Sequence, residues 1–551
     1  MKLPTELKTI ESYAFNDCQK LAGMIELPAT VVSIGDGAFW GTQIPVIRCH
    51  ATTPPVINSN SFGDKWETAF VPEGYGDVYK STEIWEDKVI LDKEVHAEVT
   101  ISYEGNLAND IVEQAQISPA RVTHLKVHGP LGAKDFAIMR SNMTLLYDLD
   151  MEDAECSIIP ENAFLDKKVL MNVKLPRELL IIQENAFRGC SSLKGTLTLP
   201  ASVTTIGWAA FQGCSSLEKV ELSDALEVIR GYGFEGCTSL EQEIAFPQNF
   251  TSLGEHAFAN CRNIRGTLKF NKEFYMFMGN EGYWASNGYA FENCSNIEAV
   301  DMSECEYLYQ LPVGVFRGCT ALHTVKLPPY LERVENNGFA YATNLQNIEF
   351  PQSLMYIDDY AFQNCTSLQS IDISECEKFA TIGNSAFNNC ASLESVSLPA
   401  SLNWIMGYAF NDCRKLNELN VEALQPADLG EYVFRHVHTE RCVLSIPTGT
   451  YSDYLSAPQW GEFVSPRDHV LRALHGGAAK GEHQQAQQGA ADDVEEPDPY
   501  QGRDVVRDAG LSSIERDAEQ HHAHEPERED HGARNPSERQ VAGGPQADQE
   551  A

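Results

Sequence analysis

Between Phe187 and Cys413 the apolar positions repeat one pattern, L-x-x-[IV]-x-[LF]-P-x-x-L-x-x-I-G-x-x-A-F-x-x-C. Its last segment recurs as AFRGC (186–190), AFQGC (210–214), GFEGC (233–237), AFANC (257–261), AFENC (290–294), VFRGC (315–319), AFQNC (361–365), AFNNC (386–390) and AFNDC (409–413). Successive Phe residues at 187, 211, 234 and 258, and again at 362, 387 and 410, stand 23 to 25 residues apart. A fixed period in this range marks a solenoid, in which each unit buries its apolar face only against its neighbours. In the unit 396–413, Val396 and Leu398 alternate with polar residues, which predicts a strand stacked on its neighbours at about 4.8 Å. Pro399 ends that strand, and Leu402 and Ile405 lead into a turn whose Phe410 fills the interior beside Cys413. The pattern predicts an α/β repeat solenoid: 23–25-residue coils, a parallel β-sheet on one face, short helices or turns on the other.

The same pattern divides the chain. Residues 1–48 hold two turns, around Phe15 and Phe39, and read as a partial array. The segment 49–91 breaks the period, and its VPEGYGDVYKSTEIWEDKVI recurs as IPTGTYSDYLSAPQWGEFV at 446–464. Both read as terminal units, since an open last coil would expose apolar surface and strand edges. Residues 92–144 carry two strand-like stretches and two short helical ones, consistent with an N-terminal cap for a second array. That array spans 145–420, with its terminal unit at 421–465. Beyond, 466–551 holds no Cys, Phe or Trp and is rich in Gln, His, Asp and Glu. It reads either as disordered or as a misassigned reading frame. The first residues, LPTELKTIESYAFNDC, match LPASLNWIMGYAFNDC (398–413), so the chain looks as though it starts inside a repeat, without a signal peptide.

Charge and composition narrow the function. With 41 Lys and Arg against 79 Asp and Glu, the formal charge of −38 argues against nucleic acid and against adsorption to anionic membranes. No run of roughly 18 apolar residues predicts a membrane span.

The repeat, present over 1–48 and 145–420, resembles the BspA-like leucine-rich repeats of bacterial surface proteins. VTHLKVHGPLGAKDFAIMRSNMTLLYDLDM (122–151) and the Thr53-Pro54-Pro55, Tyr454 and Trp460 pattern of the terminal units resemble that family as well. The resemblance implies a non-enzymatic, cell-surface or secreted protein used in adhesion. It implies protein partners on host matrix or neighbouring cells, and it brings no catalytic residue.

The chemistry-bearing residues fit that reading. The 15 cysteines mostly fill one position per coil, where Ala342 and Thr42 also occur, so a row of buried free thiols is expected over a disulfide framework. Cys305 and Cys376 form a second matched pair at a strand-to-turn corner. GYGFEG (231–236) is the coil's own turn and not a dinucleotide fingerprint, so no cofactor is expected. No metal site is expected either: no C-x-x-C spacing occurs, and HHAHEPEREDH (521–531) reads as an accident of tail composition over a weak ligand.

Two surfaces remain as partner-binding candidates. The outward position one residue after each strand's Val or Ile gives a polar stripe that includes Glu221, Lys269, Asp301, Lys326, Glu349 and Asp372. The coil between Phe258 and Phe291 is about ten residues too long, and its segment 271–291 carries Phe274, Tyr275, Phe277, Tyr283 and Trp284. Solenoid insertions fall on one face, often the binding face, and aromatics anchor interfaces. Protein binding is the leading expectation. A carbohydrate-binding role for 274–284 and a passive spacer are the rivals.

Overall fold

Most coils lay down two short parallel strands, which pair with the matching strands of neighbouring coils. In the computed structural model, which describes residues 3–18, 21–63, 66–278, 288–463 and 467–469, one run of pairing joins Ser370–Asp372, Ser395–Leu398, Glu418–Val421, Val443–Pro447 and Arg467–His469. A second run joins two-residue strands at the L-x-x-I segment: Gln310–Leu311, Arg333–Val334, Tyr356–Ile357, Thr381–Ile382, Trp404–Ile405 and Asp428–Leu429. The same second run continues upstream from Ile158–Ile159 to Met276–Met278. The protein is a parallel-strand solenoid, and its return face is made of turns and these short strands rather than of helices. Residues 467–469 extend the strand pairing into the segment expected to lack structure, a correction to its boundary at 466. The remainder of that segment lies outside the described residues.

The corner around each Phe explains the consensus letters there. Two residues per coil have positive φ, at the second position before and the second after the Phe. For Phe211 these are Ala209 (φ 50°) and Gly213 (φ 73°); for Phe387 they are Ser385 (54°) and Asn389 (59°). The left-handed region favours Gly and Asn and disfavours other L-residues, so the position before Cys reads Gly, Asn or Asp in most coils. This geometry aims the corner N–H groups at the following coil. Asn185, Phe187 and Gly189 donate to Trp208, Ala210 and Gln212 at 2.8, 2.7 and 2.8 Å.

Inside, twelve Phe rings from Phe164 to Phe434 stack coil on coil, with centroids 5.0 to 5.9 Å apart. The cysteines beside them are free and, apart from Cys18, buried. They do more than fill space. Each thiol donates to the carbonyl of the preceding coil's Phe: Cys190 to Phe164, Cys214 to Phe187, Cys237 to Phe211, Cys261 to Phe234 and Cys294 to Phe258, at 3.0–3.3 Å. Cys319, Cys365, Cys390 and Cys413 repeat the bond. Cys305 and Cys376 donate to Asn271 and Pro351 carbonyls at 3.5 and 3.4 Å. In the first coil of the row the thiol is replaced by Lys167, whose ammonium donates to the Met143 carbonyl at 2.7 Å.

Both arrays close in the same way. Tyr79 donates to the Ala51 carbonyl and Trp85 to Pro55; Tyr454 donates to Ala423 and Trp460 to Ala427. Trp460 and Phe463 meet the last ring, Phe434, at steep angles, so the stack stops there. Gln459 accepts from the Val433 N–H at 2.8 Å. At the other end, Phe136 of the helix Ala133–Ser141 meets Phe164 edge-on, and Arg140 donates to the Asn162 carbonyl at 2.7 Å. The two arrays touch through a small apolar cluster, Val46 and Phe70 of the first against Tyr147 and Met171 of the second.

Two outcomes follow from the thiol row. In native protein a thiol reagent is expected to react rapidly with Cys18 alone, and with all 15 cysteines in denaturant. Burial pushes Cys190 up to about 12 and Cys214, Cys237 and Cys390 well above the ordinary 9.0. The fold therefore holds protons that the unfolded chain releases, so stability is complete below pH 9 and falls as pH rises past it. The slope is about 1.4 kcal/mol per pH unit for each thiol. Lys167, pushed down to about 8 by burial, opposes this by a single proton. Urea midpoints measured from pH 8 to 11 are expected to fall steeply, and Cys365→Ala should lessen the slope by about one proton.

Candidate functional site

The strand face carries the stripe residues as a ladder of charges. Lys269, Asp301 and Lys326 are direct register partners, and a bridge continues from Lys326 to Glu349. Glu221 pairs with Thr198, and Asp372 with Ser397. All six side chains are exposed or half-buried. The structure thus brings four of them into one line and places the other two at the same outward position on their own strands.

These charges meet one another. Lys326 donates to Asp301 at 2.9 Å, Lys269 reaches Glu304 at 2.9 Å, and Thr198 donates to Glu221 at 2.7 Å. Asp301 and Asp372 also accept from the backbone and hydroxyl of Ser303 and Ser374, which fixes the turn after each strand. Burial alone would raise the Asp301 carboxyl, but the bonds from Lys326 and Ser303 outweigh it and hold the group below its usual range.

Sequence reasoning missed the upstream half of this ladder. Glu98, Lys126, Asp150 and Lys174 alternate in sign across four paired strands. Lys126 lies 3.3 Å from Glu98, and Lys174 donates to Asp150 at 2.8 Å. The signal was present: each follows an apolar strand residue, Ala97, Leu125, Leu149 or Val173, just as the other stripe residues do.

The long coil needs a correction. Phe274 is fully buried and packs against Phe250, Phe270 and Phe277. Phe274 and Phe277 occupy the Leu and Ile positions of L-x-x-I, and Met276–Met278 pairs with Ser252–Gly254. Phe274 is therefore core and Phe277 is packed against it, while Tyr275 alone of these three points to solvent. The extra residues of this coil fall after Met278, and Tyr283 and Trp284 lie outside the described residues. An aromatic row that the sequence did not suggest runs nearby. Tyr232, His256 and Tyr289 stack across successive corners at 4.9 and 5.1 Å, and Trp208 meets Tyr232 at a tilt at 5.0 Å, all half-buried. Gly231, in the dinucleotide-like string, lies under the Trp208 ring, where a Cβ would come within 2.4 Å of it.

An open depression of about 660 Å³ lies where the cap meets the second array, lined by Glu104, Glu152, Asp153, Cys156, Arg177 and Glu178 among others. Arg177 bridges Glu152 and Asp153 at 3.1 and 2.6 Å, so much of its charge is already paired.

The repeat itself matches a family model, that of the BspA type leucine rich repeat region, in six copies over residues 1–80, 157–281, 286–417 and 375–450. The chain belongs to this family. Among solved structures, a leucine-rich repeat protein from Bacteroides ovatus is 22% identical over 54% of this chain and 82% of its own, with a TM-score of 0.38. A leucine rich cell surface protein from Faecalibacterium prausnitzii is 19% identical over 73% and 88%, with a TM-score of 0.34. A T. pallidum leucine rich repeat protein is 28% identical over 32% and 78%, with a TM-score of 0.26. No curated protein matches the chain. Among the described residues no helix is long and apolar enough to cross a membrane.

A double-mutant cycle on Asp301→Ala and Lys326→Ala is expected to give a coupling of about 0.2–1 kcal/mol that shrinks with added salt. A larger, salt-insensitive coupling would mean that the ladder holds the fold rather than decorating it.

Proposed function

We propose that this BspA-type repeat protein acts at the cell surface or after secretion as a non-enzymatic adhesion scaffold, binding protein partners through its strand face. The observation that carries this reading is the ladder of alternating charge from Glu98 to Lys174 and from Lys269 to Glu349, presented on paired strands. Such a face presents many polar groups at fixed spacing, and charges of this kind steer encounter and select partners more than they supply affinity. Family membership supports the same reading. The glycan alternative loses support, because Phe274 is buried and Phe277 is packed against the core.

The test is capture of host matrix proteins by the full chain and by a stripe variant, Glu221→Lys with Lys269→Glu and Glu349→Lys. Capture is expected to weaken at least tenfold in the variant and to fall with salt. Equal capture by both would remove the strand face as the binding surface. Loss only on deleting residues 279–287 would move it to the long coil. Glycan binding without protein capture would favour the sugar reading, and no binding at all would favour a spacer.

A further inference from the structure

We propose that Glu94, His96 and His124 form a site for one divalent transition-metal ion of the Zn²⁺, Ni²⁺, Co²⁺ or Cu²⁺ type, at the junction of the two arrays. Their ligand atoms all lie within 4.8 Å of one another. His96 and His124 are register partners on the parallel strands His96–Thr100 and His124–Pro130, so their rings stand side by side with centroids 3.9 Å apart. Glu94, just before the first of these strands, places its carboxylate 3.7 Å from His96 Nε2 and 3.9 Å from His124 Nε2. Bonds of 2.0–2.1 Å around a tetrahedral ion put ligand atoms roughly 3.3 Å apart, so each Glu94–histidine contact is about half an ångström too long, and the near-parallel rings must tilt to aim both lone pairs at one ion. Two imidazoles and a carboxylate suit this class of ion better than Mg²⁺ or Ca²⁺, which take oxygen ligands.

Hydrogen bonding around His124 sets up its free nitrogen. Thr123 Oγ1 donates to the Val95 carbonyl at 3.1 Å and accepts the Val95 N–H at 2.7 Å. It also lies 3.1 Å from His124 Nδ1. When the hydroxyl proton goes to Val95 and the ring is neutral, Nδ1 donates to Thr123 and the Nε2 lone pair is turned toward Glu94. This arrangement, in which the remote ring nitrogen is held by a neighbour, is how ligating histidines are oriented. A proton on Nε2 or a bound metal ion would each reconcile that nitrogen with the carboxylate, and metal titration separates the two.

Tyr147 borders the same spot. Tyr147 is only 3% exposed, its ring packs edge-on against His124 at 4.6 Å, and its buried hydroxyl, lacking a well-aligned hydrogen bond, interacts with the Glu94 carboxylate and Arg48. A water on the ion would supply the missing partner. Asp148, the register partner of His124 on its other side, adds negative charge. Arg48 of the first array, 3.8 Å from Glu94, is the competing cation, and the ion must displace its pull on the carboxylate.

The test is metal titration of the full chain by calorimetry, with stoichiometry from native mass spectrometry, for wild type, His96→Asn/His124→Asn and Glu94→Gln. The tail brings its own histidines at 521, 522 and 524, so a variant with these three changed to Asn is titrated in parallel. Expected is one equivalent of Zn²⁺ or Ni²⁺ that survives the tail changes, disappears in the double His variant and weakens at least tenfold in Glu94→Gln. The thermal midpoint should rise with metal in wild type and not in the double variant, whose metal-free midpoint should match wild type. Unchanged stoichiometry and affinity in the double variant would overturn the proposal. So would loss of all binding with the tail histidines, or absence of a bound equivalent in wild type.

Discussion

The fold depends on the carbonyl of each corner Phe. It accepts two hydrogen bonds, one from the backbone N–H of its own coil's cysteine, as between Cys190 and Phe187 at 3.1 Å, and one from the thiol of the next coil, as from Cys214 at 3.2 Å. A buried carbonyl left short of partners is costly, and a thiol is one of the few small side chains that donates while adding apolar volume. The corner thus couples three requirements: a ring to fill the interior, a donor small enough to sit beside it, and left-handed residues on either side that turn the backbone toward the next coil. Each letter of A-F-x-[GN]-C answers one of them. Where Ala342 and Val437 stand in place of the cysteine, the Phe316 and Phe410 carbonyls keep the backbone bond and have no thiol donor, so the row tolerates that loss.

Because each coil rests on its neighbours, the ends carry different burdens from the middle. The closing units use Tyr and Trp to place hydroxyl and indole donors on carbonyls of the preceding coil while turning their rings across the stack. Steep rings offer no flat face on which another coil could continue. The outward strand face is polar throughout and largely satisfied by its own charges, which leaves its recognition properties to pattern more than to any one residue.

How much of this was legible in the sequence differs by feature. The solenoid, the strand positions and the Phe interior follow directly from period and alternation. The outward stripe was readable because it always follows an apolar strand residue, and the same rule would have found Lys126, Asp150 and Lys174. The thiols were half-read: tolerance of Ala points to packing and conceals a hydrogen bond. Phe274 was misread because an aromatic-rich stretch in an overlong coil looks like an exposed loop until its strand register shows which residues are additional. Glu94, His96 and His124 could not be assembled from spacing, since 28 residues separate the two histidines and only parallel pairing sets their rings side by side. Tyr147 and Arg48 come from different arrays, and no periodicity relates them.

The direction of the corner bonds gives the array an axial sense. Corner N–H groups point toward the C-terminal end and carbonyls toward the N-terminal end, coil after coil. One end of this column of peptide dipoles is electron-rich and the other electron-poor. The two ends are not interchangeable. A second molecule seeking to prolong the column would have to add head to tail.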